Sequence, residues 1–256
     1  MTPGDSAWDG APDLEAMPGA TELGLARVVH EREVESTMDE AHGLAAQGTP
    51  AGVLVVADRQ LRGRGRGGRE WESADGAGLW MTLLERPDDA RVVGVLALRL
   101  GLALADALQP LVDAPISLKW PNDVFVGTGK LAGILVEARW RESAVDWVAI
   151  GVGINRRVPA GFPEAAAIRA GVSRAELLLA IIPRLRMAAS TRGQLSDAEC
   201  AAWAARDLAR GRRVREPALG VVQGIAPDGA LLVRTQEPEV KPYYAGSLVF
   251  DESQAG

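Results

Sequence analysis

Apolar residues in this chain come mostly in short runs separated by Gly, Pro, Asn and Asp, with a few longer stretches of helical spacing. That pattern predicts a domain mixing strands and helices. Residues 27–34 and 52–57 read as strands, and the second, GVLVVA, is apolar throughout and therefore buried. Between them, Thr37-Met38-Asp39-Glu40 has the spacing of a capping box and predicts a short helix ending near Gly48. GLWMTLL at 78–84 resumes as a strand, and residues 92–108 predict a buried helix. Arg99 and Asp106 interrupt that apolar segment, which falls short of the roughly 20 residues a membrane span needs. From Ile116 the order is strand, Pro-Asn-Asp turn, strand at 124–126, Gly-Thr-Gly turn, then strands at 131–139 and 147–154. Such a hairpin meander predicts a mixed, largely antiparallel sheet. Helices are expected at 174–189 and 197–209, with Pro183 marking a kink or boundary in the first. Beyond Gly211 the pieces LGVVQGI, ALLVRT and AGSLVF, closely spaced by Gly and Pro, predict a small β-barrel appended to an α+β domain.

The chain has 256 residues, enough for one large domain and a small one. The divisions expected are a flexible leader at 1–25, a main domain at 26–210 and the barrel at 211–256. The leader holds no basic start followed by an apolar run, so it does not read as a secretory signal. A net charge of −6 argues against a surface that tracks nucleic acid, and any anionic ligand must be met by a local cluster of cations. The single Cys200 excludes internal disulfides and Cys-rich zinc sites. With His30 and His42 the only histidines, a metal would be held mainly by oxygen, as magnesium is. A cytoplasmic location fits this cysteine usage best.

The segment at 62–71, RGRGRGGREW, changes the picture most. Arginines alternating with glycines let guanidinium groups and bare backbone N–H groups close together on one anion. A surface linker or an unfolded RNA-binding tail are the plain alternatives. Its position between two buried strands, with Trp71 directly behind, weighs against both. Gly63, Gly65 and Gly68 formally match a dinucleotide fingerprint, but no apolar helix opens behind them. Gly127-Thr128-Gly129-Lys130 likewise is not a phosphate-binding P-loop, because Val124 and Leu131 stand where a glycine and a hydroxyl belong.

Pro121-Asn122-Asp123 is ordinary turn chemistry. The turn would nevertheless place Asp123 beside Lys130, which enters a buried strand, and a carboxylate near a lysine suits magnesium and a phosphate or carboxylate ligand. Trp71 and Trp120 would supply flat apolar walls for a ring-shaped ligand. Ser36 and Thr37 serve equally as a helix cap or as ligand hydroxyls. Asn155, after the small residues of Ala149-Ile150-Gly151-Val152-Gly153-Ile154, reads either as a turn residue or as a ligand contact.

In this order the segments resemble the biotin protein ligases. The resemblance runs from about Val34 to the end. It is dense at Glu35-Ser36-Thr37, at Gln60 to Trp71 (Q-x-x-GRGR-x-x-R-x-W), at Lys119 to Asp123 (KWPND), and at Gly129 to Glu137 with Ala149 to Asn155. It implies a class II aminoacyl-tRNA-synthetase-like catalytic domain with an SH3-like barrel behind it. It also implies a two-step reaction, in which biotin and ATP give biotinyl-5'-AMP and a lysine of a biotin carboxyl carrier protein then takes the biotinyl group. By resemblance, Ser36, Thr37, Gln60, Gly63, Arg64, Lys130 and Gly133 would bind biotin. Arg66, Arg69, Trp71, Asn122 and Asn155 would hold ATP or the adenylate, Lys130 and Arg66 would act in catalysis, and Asp123 would help hold Mg²⁺.

The chain departs from the family pattern at Met38, where Asn is usual, at Gly67, often arginine, and after Gly246, where an acidic residue is common. About 34 residues precede the Glu35-Ser36-Thr37 start, too few and too rich in Pro and Gly for the winged helix-turn-helix some members carry, so a monofunctional ligase is expected. The partners expected are biotin, ATP and the carrier domain, with no DNA and no membrane, acting as a monomer or homodimer. The alternatives kept are a lipoate or octanoate ligase or transferase of the same fold, and a non-catalytic biotin sensor.

Overall fold

The computed structural model describes residues 23–236 and 239–251. The expected leader lies outside the described residues apart from residues 23–25, of which Leu23 and Leu25 are buried in the main core.

The first strand, β1 (Arg27–Val34), leads through the helix α1 (Thr37–Ala46) to β2 (Val53–Gln60), and the two strands pair in parallel. After the Arg/Gly segment come β3 (Gly78–Glu85) and the helix α2 (Leu96–Leu108). The meander follows as β4 (Ile116–Lys119), β5 (Asp123–Val126), β6 (Gly129–Arg141) and β7 (Ala144–Asn155). These strands form one seven-stranded sheet in the order β1-β2-β3-β7-β6-β5-β4, in which every pair except β1–β2 is antiparallel. The mixed, largely antiparallel α+β fold read from the sequence is therefore present.

Two helices complete the large unit, α3 (Arg174–Ser190) and α4 (Asp197–Arg206), each opened by a capping box, Ser173 with Glu176 and Ser196 with Glu199. Pro183 does not end α3, which continues to Ser190. The second helix starts later than expected: residues Ala90–Val92 form a 3₁₀ turn and α2 begins at Leu96. Val92, Val93 and Val95 are β-branched and Gly94 lies among them, which disfavours a regular helix there. No helix among the described residues is long and apolar enough to cross a membrane.

The remaining strands are β8 (Arg213–Glu216), β9 (Gly220–Ile225), β10 (Leu231–Arg234), β11 (Val240–Tyr243) and β12 (Val249–Phe250). They form an antiparallel sheet in the order β11-β10-β9-β8-β12. Among the described residues β11 and β12 are its two edges, so this ladder is open rather than a closed barrel.

Period-two alternation decides where the site forms. On β7, Ile150, Val152 and Ile154 point into the main core, which leaves Gly151, Gly153 and Asn155 on the opposite face. Helix α1 packs over β2, β3 and β7 and covers that face around Val53, Leu84 and Trp147. Cross-strand register continues the glycines across the sheet, with Gly151 between Thr82 and Leu135, and Gly153 between Trp80 and Gly133, which in turn pairs with Asp123. A row of missing side chains beside a covering helix leaves a depression.

Candidate functional site

The depression is a cleft of about 420 Å³, inside the usual size of small-molecule sites. Ser36, Thr37 and Met38 from the start of α1 line it, with Gln60, Thr82, Leu135 and Gly151 nearby. Arg64, Arg66, Arg69 and Trp71 close over it from the Arg/Gly segment, and Asn122, Asp123, Lys130, Gly133, Gly153 and Asn155 complete the lining. Nearly all the residues singled out in the sequence thus meet in one place. Gly63 stands just behind the wall, and Trp120 lies outside the cleft.

Ser36 caps α1, accepting from the Met38 amide at 3.2 Å, so the helix starts one residue earlier in register than the expected Thr37 capping box. Thr37 is free for another task because the cap is already made. Its amide and hydroxyl both donate to Gln60 Oε1, at 2.9 and 3.0 Å, and the hydroxyl also lies 2.9 Å from Thr82 Oγ1. Gln60 Nε2 in turn donates to Ser73 Oγ at 2.8 Å, and Ser73 Oγ donates to the Trp71 carbonyl at 3.0 Å. One hydrogen-bonded chain therefore joins the head of α1, the end of β2 and the close of the Arg/Gly segment. Ser73 and Thr82 carried no sequence signal, since single hydroxyls on a strand and a loop are common.

The Arg/Gly segment is a small hairpin. The Trp71 amide donates to Gly63 O and the Gly65 amide to Arg69 O, both at 2.7 Å, with Arg66–Gly68 as its tip. Gly63 must lack a side chain, because a Cβ there would stand 2.3 Å from the Trp71 carbonyl oxygen. Gly67 and Gly68 turn the tip with φ of 68° and 75°, a conformation other residues rarely adopt. Arg64 donates to Asp39 at 2.5 Å and to Glu137 at 2.6 Å, while Arg66 reaches the Gly246 carbonyl, 180 residues away, at 2.6 Å.

Trp71 rests on the glycine floor. A Cβ on Gly133 would come within 2.7 Å of its ring and one on Gly153 within 2.5 Å of its Nε1. The ring meets Trp80 edge-on at 6.4 Å between centroids, and the Lys130 ammonium sits 4.9 Å from its centroid. Among the described residues its buried Nε1 has no hydrogen-bond partner, an omission that typically costs about 1–3 kcal/mol. Trp120 differs from expectation: it is buried, outside the cleft, and donates from Nε1 to the Gly229 carbonyl at 3.1 Å.

Lys130 Nζ lies 2.7 Å from Asp123 Oδ1, the pairing expected from the turn. Around that single carboxylate gather Arg66, Arg69 and Lys119. Burial lowers the pKa of Lys119, and Lys130, Arg69 and Arg212 add to the effect while Asp123 opposes it. Arg66 is lowered by burial first and by Arg69 second. Lys119 lies 5.4 Å from the Phe250 ring, and Arg212 stacks on the same ring at 3.6 Å. An excess of clustered cations over one carboxylate is an anion site. Arg212 and Phe250 were not legible as site residues, since only the tertiary fold brings the second sheet to Lys119.

Asn122 and Asn155 line the cleft, yet their amides donate to backbone: Asn122 to Ile134 O at 2.6 Å, Asn155 to Lys130 O and Ala166 O, both at 3.2 Å. They fix the turn and the lysine-bearing strand. Among the described residues no group of three His, Cys, Asp or Glu side chains could hold a metal by itself. One carboxylate, Asp123, suits a magnesium ion that arrives on phosphates, since that ion commonly takes one or two protein carboxylates and keeps substrate oxygens and water.

Residues 31–155 match the model of the biotin/lipoate A/B protein ligase family. The chain is 34% identical to the biotin–[acetyl-CoA-carboxylase] ligase of Paracoccus denitrificans over 229 residues, 78% of this chain and 91% of that one. It is 38% identical to the bifunctional ligase/repressor BirA of Bacillus subtilis over 146 residues, 56% of this chain and 45% of that one. The chain thus spans less than half the length of this second relative. Among solved structures, the biotin protein ligase from Aquifex aeolicus in complex with biotin and ATP superposes with a TM-score of 0.73 at 28% identity, covering 89% of this chain and 100% of that one. A glycine-floored cleft under an Arg/Gly hairpin, on a fold and sequence shared this extensively, places the chain in the biotin protein ligase branch of the biotin/lipoate A/B protein ligase family.

Proposed function

We propose that the chain activates biotin with ATP to biotinyl-5'-AMP and transfers the biotinyl group to a lysine of a biotin carboxyl carrier protein. The observation that carries this reading is the position of Lys130, 2.7 Å from Asp123 and over the Trp71 ring, where the biotin end of the cleft meets the cationic cluster. The difficulty of the first step is bringing a carboxylate onto a polyanion. Cations fixed in advance on both lower that barrier without reorganising at the moment of reaction.

In this reading Ser36, Thr37, Gln60, Gly63, Arg64 and Gly133 form the biotin end. Gly133 and Gly153 seat the Trp71 ring on the sheet beside that end. Lys130 bridges the biotin carboxylate and the α-phosphate. Arg66, Arg69 and Trp71 hold the triphosphate and then the adenylate, while Asn122 and Asn155 keep the adjoining backbone in place. Asp123 would hold Mg²⁺ brought by ATP, which shields phosphate charge, once Lys130 has turned to its anionic ligands. The hairpin over the cleft shields the mixed anhydride from water. The open second sheet packs beside a class II aminoacyl-tRNA-synthetase-like domain, with Arg66 and Gly246 as their meeting point. The chain works in the cytoplasm as a monomer or homodimer.

Incubation with labelled biotin, Mg-ATP and a biotin carboxyl carrier domain tests the reading. Label on the carrier lysine is expected. Label from lipoate in place of biotin would assign the other branch of the family, and biotin binding with no labelled carrier would make the chain a sensor.

A further inference from the structure

His42 lies on α1, outside every motif considered above, and forms the middle of a buried-to-exposed relay. Trp147 Nε1, which can only donate, lies 2.9 Å from His42 Nδ1, so that nitrogen accepts and the ring proton sits on Nε2. Nε2 then donates to Glu137 Oε2 at 3.0 Å. The other oxygen of Glu137 receives Arg64 Nη2 at 2.6 Å, and Asp39 takes Nη1 of the same guanidinium at 2.5 Å. Trp147 is nine-tenths buried, with Arg86 5.6 Å from its ring, so the relay starts from a fixed point. Glu137 is on the strand face that carries Gly133 and Leu135, which aims it at α1.

We propose that His42 and Glu137 are positioning residues for the ligand cleft: together with Asp39 they hold Arg64 as a clasp that keeps the Arg/Gly hairpin closed over the biotin end. An Arg–carboxylate pair on the surface contributes little by itself, because two long side chains must be ordered. The relay removes that burden for Glu137, whose carboxylate is already oriented from behind by His42. Arg64 then meets two carboxylates fixed on different elements, one on the helix and one on the strand. The clasp rests on the reading of the cleft as a biotin site, while its effect on the hairpin does not.

The test compares the parent with His42→Phe, His42→Gln and Glu137→Gln. Glutamine at position 42 can still accept from Trp147 and donate to Glu137, whereas phenylalanine can do neither. With His42→Phe, the KM for biotin in adenylate formation should rise roughly ten- to a hundredfold, the penalty of a misplaced binding group, with kcat unchanged. His42→Gln should recover most of that loss, and Glu137→Gln should behave as His42→Phe while retaining the parent's shape. Tryptic cleavage after Arg64 and Arg66 without substrates should accelerate in His42→Phe and Glu137→Gln alone. Parent KM and cleavage rates in His42→Phe, or equal impairment of the Gln and Phe variants at position 42, would overturn the clasp. A parent that makes no adenylate would instead refute the proposed function, and the cleavage rates would still judge the clasp.

Discussion

Trp71 and Gly153 touch so closely that a Cβ on the glycine would stand 2.5 Å from the indole Nε1. The contact fixes where the hairpin comes to rest, because Trp71 is its last residue and the glycine row is its seat. Replacing Gly153 by alanine should lift Trp71 without disturbing Ile154 or the core behind it. Overpacking of this kind typically costs about 1–3 kcal/mol. Biotin affinity measured by titration calorimetry should fall about tenfold or more, with the unfolding midpoint lowered by no more than several degrees. Unaltered affinity would show that Trp71 does not need this seat.

The hairpin tip rests on Gly67 and Gly68, neither of which has a neighbour within 4 Å of a would-be Cβ. Open space and glycine torsions let such a loop open and order again around ligand. Trypsin should therefore cut at Arg62, Arg64, Arg66 and Arg69 more slowly when biotin and Mg-ATP are present together. Equal digestion with and without them would refute a lid role.

Lys119 has its pKa lowered by burial, with neighbouring cations adding to the effect. A polyanion placed among Lys119, Arg66 and Arg69 would raise it again. Binding of ATP or pyrophosphate should then take up protons on the alkaline side, below the ordinary lysine value of about 10.4, and weaken as pH rises. Calorimetry near pH 9 in buffers of different ionisation enthalpy reads this directly. No proton uptake, or its release, would place the phosphates elsewhere. Lys119→Met should abolish the uptake.

Strands and hairpins were largely legible because period-two apolar runs and Gly or Asn-Asp turns are local signals. The cluster of Arg66, Arg69, Lys130 and Asp123 was legible too, since turn chemistry brings Asp123 to Lys130. What failed was local reading of groups claimed from far away. Thr37 looked like a cap, but its hydroxyl is taken by Gln60 and Thr82, and Ser36 does the capping. Trp120 looked like a ligand wall, but Gly229 of the second sheet takes its indole proton. Arg212 and Phe250 reach Lys119 only once both sheets are assembled. His42 carries no motif, and only its place on α1 between Trp147 and Glu137 gives it a part.

The role of Lys130 is tested most directly by biotin-dependent exchange of labelled pyrophosphate into ATP, which reports adenylate formation without any acceptor protein. The parent should exchange label with biotin present and not without it. Lys130→Ala, which keeps the fold but removes the ammonium beside Asp123, should lose exchange by on the order of a hundredfold or more. Exchange by Lys130→Ala at the parent rate would contradict the assignment of the cleft's chemistry.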